Sequence, residues 1–490
     1  MTNADLWAWA QWHSAHAPYI WGGILGTAVL ARSLRHLQRR PAQEPDAQWA
    51  TLAGVRQVKL DGAAGVVIGR YRGHVLRYHG EGHIVIVARP RSGKTSSIVV
   101  PTLLEPPSDP KRSRLVNDPK GELYAMTHRY QRTLGATVYR LDATSTATDH
   151  YNMFDAVRLG TPHEPGDLRV LARLMGQPAG DAKPSAEAQF WDDLTAQAMQ
   201  GCVLAGLLTG AATHPAALHE WLGLRGIEDL IADLHGTLHH QCVDLARTLQ
   251  GMTENQVKSV LLGVRKHLQI YSDELVARMT CRSDFRPEAL RTGLHTVYCT
   301  VPFGQEDLLQ VNRVIFAQLV GAALQRSETP STTRRTMHGW DYDIDVLVDE
   351  APTLKRLDLL PQTINYGAGF GVRIVLITPS LAVLDDLYGK HNFLESTAVQ
   401  CYFGIVDTQV AERISQRLGV KTIVQERISQ GRGGRSITRE SARRPLVDRS
   451  GVLHLDDSQV IVTADKHQLV VTQLPWYQYE PWKSRGDSLQ

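Results

Sequence analysis

The stretch from His83 to Leu104 constrains this chain more than any other. His83-Ile-Val-Ile-Val87 reads as a strand buried on both faces, and it runs directly into Ala88-Arg-Pro-Arg-Ser-Gly-Lys-Thr95. Ile98, Val99, Val100, Leu103 and Leu104 follow at the spacing of an apolar helix start. A strand, a glycine-bearing loop and a helix in that order bring consecutive backbone N–H groups and a helix N-terminus to one point, where phosphate is stabilised. The octapeptide fits G-x-x-x-x-G-K-[ST] except that Ala88 stands in place of the first glycine, a small change where φ is negative. Candidate contacts to a nucleotide, ATP, are therefore Ala88, Arg89, Pro90, Arg91, Ser92, Gly93, Lys94, Thr95 and Ser96. Lys94 is expected to reach the β and γ phosphates, and the Thr95 hydroxyl to ligate Mg²⁺.

A second element supplies what a phosphate loop lacks. Ile344-Asp-Val-Leu-Val-Asp349-Glu350 is an apolar strand ending in two carboxylates, some 255 residues beyond Lys94. In a parallel sheet those acids lie at the carboxyl edge, where open α/β folds bind ligands. Asp349 suits Mg²⁺, and Glu350 suits orienting and deprotonating an attacking water.

Further strands are expected at Leu115–Asn117, Thr137–Leu141, Thr296–Val301, Val372–Ile377 and Gln400–Ile405. Several are too uniformly apolar for a half-exposed sheet, so a parallel sheet with helices on both faces is implied. Between about Asn152 and Thr292 helical periodicity takes over, which predicts an all-α insertion. Trp191, Leu194, Ala198, Cys202 and Leu208 fall near one stripe, and Thr253-Glu-Asn-Gln256 has capping-box spacing before Val257, Val260, Leu261, Val264 and Leu268. In this block His214, His219, His235, His239, His240 and His267 lack the spacing of a metal motif, and capping or solvated roles suit them better. Ser429–Arg449, rich in glycine and arginine, reads as a basic linker: either a phosphate- or subunit-contacting loop or a solvated hinge.

Composition excludes several classes. With 43% hydrophobic and 21% charged residues over 490 positions, neither a disordered chain nor a polytopic membrane protein fits. A net charge of +3 does not announce nucleic-acid binding in bulk, and five scattered cysteines point to a reducing compartment. Leu6–Ala31 carries no Asp, Glu, Lys or Arg, is crowded with Trp at its start, and is followed by Arg32, Arg35, Arg39 and Arg40. That asymmetry predicts a single membrane anchor, with a transmembrane helix about residues 17–32 and the C-terminal side in the cytoplasm; the alternative is a buried helix. The expected division is an anchor over 1–40, a first nucleotide-binding part over 41–151, an all-α domain over 152–292 and a second nucleotide-binding part over 293–490.

On these motifs the chain resembles the type IV secretion coupling proteins, membrane-anchored ATPases of conjugative DNA transfer. The resemblance spans about Gly65 to Tyr479. It rests on Gly65-Val-Val-Ile-Gly69, Leu76-Arg-Tyr-His-Gly80, the phosphate loop, Asn117-Asp-Pro-Lys-Gly-Glu122, Phe190-Trp191, Val348-Asp-Glu-Ala-Pro-Thr-Leu354, Ser380 to Gly389 and Ser441 to Val447. It implies a RecA-like P-loop NTPase fold with an inserted all-α domain that recognises substrates. It also implies a homo-hexamer with ATP between subunits and an anchor in the bacterial inner membrane; the family commonly anchors through two transmembrane helices, whereas the sequence here offers a single pass. The implied partners are channel components of the secretion system and a relaxase–DNA complex or effector proteins. Pro379 stands where the family usually carries Gln, leaving Thr378 as the polar substitute, and Arg356, Arg373 and the arginines of Ser429–Arg449 are candidates for an arginine acting across the subunit boundary. Two other functions fit the same residues: a nucleotide-dependent receptor or adaptor that hydrolyses weakly, and a soluble-type RecA-like DNA translocase.

Overall fold

The computed structural model describes residues 46–176, 186–300, 305–329, 337–389, 393–431 and 434–486. The chain forms two compact units. The larger, Gln48–Leu418 with Pro445–Gln490, contains an 11-stranded sheet. Its strands are β1 (Val66–Tyr71), β2 (His74–Tyr78), β3 (His83–Ala88), β4 (Arg112–Asp118), β5 (Thr137–Asp142), β6 (His295–Thr300), β7 (Asp343–Val348), β8 (Val372–Thr378) and β9 (Thr397–Phe403). In the smaller unit β10 (Val420–Gly431) pairs with β11 (Gly434–Pro445), and β12 (Gln459–Ala464) and β13 (His467–Thr472) complete the large sheet.

The strand order is β2-β1-β13-β12-β9-β3-β8-β7-β4-β6-β5. From β9 to β5 the seven strands run parallel. These are the seven expected from apolar runs, because a strand covered on both faces is apolar over most of its length. The remaining four are antiparallel. β2 and β13 are only partly buried, so no continuous apolar run marks them. The all-parallel expectation thus needs correcting at this edge.

β4 extends beyond the expected Leu115–Asn117 because Arg112 and Arg114 are buried in it. Across β4, β7 and β8, Arg112 reaches Asp345 at 3.1 Å and Asp343 at 3.2 Å, while Arg373 clasps Asp345 at 2.9 and 2.7 Å. Burial opposes ionisation of Asp345, yet the guanidiniums of Arg373 and Arg112 hold its carboxyl below the usual range. These charges sit at the amino-terminal ends of the strands and tie three of them together.

Between β5 and β6 every described element is helical. The helix Glu254–Leu268 starts at the expected capping box, with Thr253 N–H donating to Gln256 Oε1 at 2.9 Å, and Val257, Val260, Leu261, Val264 and Leu268 are buried. In Ala186–Thr209, Leu194, Ala198 and Cys202 are buried, but Leu208 is exposed, since six residues beyond Cys202 lies off the same helical face. Two of the histidines cap helices: His214 accepts from Ala217 N–H and His239 from Gln241 N–H.

Most of Ser429–Arg449 is not a linker. It lies in β10 and β11, followed by the short helix Arg449–Leu453, capped by Asp448. A two-stranded ribbon is held by backbone hydrogen bonds and needs no apolar run, so composition cannot distinguish it from a loop. In the same unit Ala47 N–H donates to the Val420 carbonyl. The expected anchor over residues 1–40, with its transmembrane helix about 17–32, lies outside the described residues. Among the described residues no helix is long and apolar enough to cross a membrane.

Candidate nucleotide site at the carboxyl edge

β8 lies between β3 and β7, so the loops leaving these three strands are neighbours at the carboxyl edge. Ala88 is the last, fully buried residue of β3, and its side chain belongs to the core. Arg89, Pro90 and Arg91 are exposed, and Arg89 reaches Asp457 at 3.2 Å. The loop turns back through two left-handed residues, Arg91 (φ 64°) and Gly93 (φ 89°), and enters a helix at Lys94. Its first turn, Thr95–Val99, is wide, and Val100–Leu103 continues as α-helix. Ser92 and Ser96 hydroxyls donate to loop carbonyls, of Arg89 and Gly93 respectively.

Gln473, just beyond β13, clasps this loop: its amide donates to the Ser92 carbonyl at 3.0 Å, and its Oε1 accepts from Ser97 Oγ at 3.1 Å. No sequence pattern marks it, since a glutamine after an edge strand is ordinary.

The second element arrives where expected. Thr95 Oγ1 lies 3.5 Å from Asp349 Oδ2, and Lys94 Nζ lies 3.7 Å from Glu350 Oε1. Lys94 is 5% exposed and Asp349 7%, so their charges meet in a poorly hydrated setting. Burial pushes the Asp349 carboxyl up to about 7; Lys94 opposes this, and Glu350 and Asp118 add to it. Burial likewise raises Asp118 to about 6. The Oδ1 atom of Asp349 is buried with no hydrogen-bond partner.

That orphaned oxygen tests whether Mg²⁺ fits. A buried carboxylate short of one partner, beside a threonine hydroxyl, is stabilised by a hard cation. Among the described residues no three His, Cys, Asp or Glu side chains form a metal cage. A nucleotide-borne Mg²⁺ needs none, because phosphates and waters supply most of its ligands.

Beyond β8, Thr378 Oγ1 donates to the Ser380 carbonyl at 2.9 Å and Thr378 is fully buried. Ser380 caps the helix Leu381–Tyr388 by accepting from Ala382 N–H. Thr378 is thus committed to the turn that Pro379 makes. Arg373 is committed too, in the buried ion network at the opposite end of the strands, whereas Arg356 is exposed and pairs with Asp358 at 2.8 Å.

A family model described as type IV secretory system conjugative DNA transfer matches residues 48–489. The chain belongs to this family, the type IV secretion coupling proteins. Conjugal transfer protein TraG of Escherichia coli is 28% identical over 448 residues, covering 82% of this chain and 68% of TraG. Protein VirD4 of Rhizobium radiobacter is 26% identical over 421 residues, covering 81% of this chain and 58% of VirD4. The unbound monoclinic form of the bacterial conjugative coupling protein TrwBdeltaN70 shares the fold with a TM-score of 0.64 at 19% identity, covering 88% of this chain and 95% of that one. TrwB in complex with ADP and Mg²⁺ gives 0.63 at 19% identity, covering 88% and 94%. In this coupling protein the family motifs gather at one place: the Asn117–Glu122 segment leaves β4, the Asp349-Glu350 pair leaves β7 and Ser380 leaves β8.

Proposed function

We propose that the chain is a membrane-anchored ATPase that recruits DNA–protein or protein substrates and drives them to a type IV secretion channel. The observation that carries this reading is the meeting of Lys94, Thr95, Asp349 and Glu350 at the carboxyl edge of the sheet, with a buried carboxylate oxygen left without a partner. TrwB, of the same fold, is known in complex with ADP and Mg²⁺ and with a non-hydrolysable ATP analogue, which supports the choice of nucleotide.

In this reading the loop Ala88–Ser96 holds the phosphates, with Lys94 neutralising the charge that builds on them. Thr95 and Asp349 would hold Mg²⁺, which when bound would neutralise charge on the phosphate oxygens and so lessen their repulsion of a nucleophile. Glu350 orients a water molecule and accepts its proton as the oxygen attacks the γ phosphorus, whose bond to the β–γ bridging oxygen breaks so that ADP leaves with the electron pair. The helical residues 152–292 are an inserted all-α domain that selects substrate. Residues 1–40 anchor the protein in the inner membrane, and the active form is a homo-hexamer with most of the chain in the cytoplasm.

The test is ATP turnover of the detergent-extracted full chain beside Lys94→Ala and Glu350→Gln. Glu350→Gln is expected to retain ATP binding and to lose turnover by about a hundredfold or more, the range of general-base removal. Equal rates in all three proteins would overturn the ATPase reading. They would favour a weakly hydrolysing adaptor, the reading that the commitment of Thr378 beside Pro379 suggests.

A further inference from the structure

The segment Asn117-Asp-Pro-Lys-Gly-Glu122 closes β4 beside β7, and its Asn117 side chain ties down the turn that presents the two acids. Asn117 Nδ2 donates to the Asp349 carbonyl at 2.9 Å and to Thr353 Oγ1 at 3.2 Å. Thr353 in turn donates to the Glu350 carbonyl through both its N–H and its hydroxyl, each at 2.8 Å. Together these hold Glu350 at φ 54°, ψ 66°, a left-handed conformation that non-glycine residues seldom adopt.

Asp118 fixes the segment itself. Its Oδ2 accepts from Tyr124 N–H at 2.8 Å, and Gly121 takes φ 72° so that the chain can turn into the helix Glu122–Thr133. Lys120 is thereby held at the crest of a short, pinned turn. Its Nζ lies 3.6 Å from Glu350 Oε1, the same oxygen that Lys94 Nζ approaches at 3.7 Å.

Two ammonium groups on one carboxylate oxygen are more than neutralisation of one charge requires, and they differ in what else they can meet. Lys94 belongs to the phosphate loop, so bound phosphates compete with Glu350 for it. Lys120 belongs to a different strand's turn and, with its side chain 49% exposed, keeps its freedom to follow the carboxylate. We propose that Lys120 is a positioning residue for hydrolysis: it keeps the Glu350 carboxylate aimed when Lys94 is drawn to the phosphates. This rests on the ATPase reading and assigns within it a role to the Asn117–Glu122 motif. Lys120 acts through Glu350, not on the nucleotide.

The experiment measures kcat for ATP and the affinity for a non-hydrolysable ATP analogue in the detergent-extracted full chain, comparing wild type with Lys120→Ala, Lys120→Arg, Glu350→Gln and the double variant Lys120→Ala/Glu350→Gln. Lys120→Ala should lower kcat by about tenfold to a hundredfold, the cost of a misplaced reacting group, with analogue affinity within about twofold of wild type. Lys120→Arg should restore most of the rate. In the Glu350→Gln background the alanine should add no further loss, because the group it positions is gone. A fully additive loss in the double variant, or a parallel loss of analogue affinity, overturns the inference. Turnover abolished by Glu350→Gln but untouched by Lys120→Ala overturns it alone. A wild type no faster than Lys94→Ala overturns the ATPase reading, and this inference with it.

Discussion

A Cβ on Gly93 would stand 2.4 Å from Gln473 Oε1, and the residue's φ of 89° is one that side chains strain. Both obstacles act on the loop that carries Lys94. Gly93→Ala is expected to weaken nucleotide binding by tenfold or more, and to destabilise the fold by about 1–3 kcal/mol, the range for strain at a special backbone position. Nucleotide titration and urea denaturation check the two effects separately. Adding Gln473→Ala removes the collision but leaves the strained φ, so it should recover only part of the affinity. The meeting of Lys94, Thr95, Asp349 and Glu350 was legible in the sequence because each stands in a short pattern at the carboxyl end of a strand. Gln473 was not, since its contacts join the chain's far end to a loop about 380 residues earlier and no local pattern records them.

At the scale of elements, legibility followed the physical cause of burial. β3, β7 and β8 are apolar because both faces are covered, and their apolar runs announce them. β4 carries a buried arginine, Arg112, paired with two acids of β7, and its charged residues look like a polar stretch until those partners are known. His83, at the start of β3, is a further hidden tie: its Nδ1 accepts from Ile374 N–H of β8 at 3.0 Å. Burial, with Arg373 nearby, lowers its pKa from the ordinary 6.5 to about 4. The folded chain therefore keeps the ring neutral at a pH where the unfolded chain would protonate it. Stability from this site is complete above about 6.5, falls as pH drops through the interval and levels off near 4; the total is on the order of 3 kcal/mol. His83→Asn keeps a hydrogen-bond acceptor without a titrating ring. Urea denaturation at a series of pH values should show a shallower acid loss in the variant than in wild type between pH 6.5 and 4. Equal slopes would show that the imidazole is not held neutral.

At the scale of the whole larger unit, one helix connects its helical and sheet parts. Glu306–Ala323 follows β6, and Gln310 and Gln318 donate to carbonyls of the helical stretch, at Leu174 (2.8 Å) and Met153 (3.0 Å). Asn312 and Arg313 reach the sheet part: Asn312 Nδ2 lies 3.4 Å from Asn117 Oδ1, and Arg313, which also donates to Gln310 Oε1 at 3.0 Å, donates to the Arg356 carbonyl at 2.7 Å. The same helix thus touches the end of the helix Glu164–Gly176 and both loops that flank the acids. Such contact is not yet coupling, which needs an element with two arrangements that both sites bias. Its energetic content can be measured first. Gln310→Ala leaves the carbonyls of Leu174 and Met175 without their side-chain donor, a loss of about 1 kcal/mol. Because that end of the helix opens locally, amide exchange over residues 164–176 should rise about fivefold, the equivalent of that energy, while β3 and β7 keep their protection. A uniform rise across the sheet would instead mean that the helical stretch and the sheet open together as a single cooperative body, with Glu306–Ala323 buried inside it and not bridging two separately opening parts.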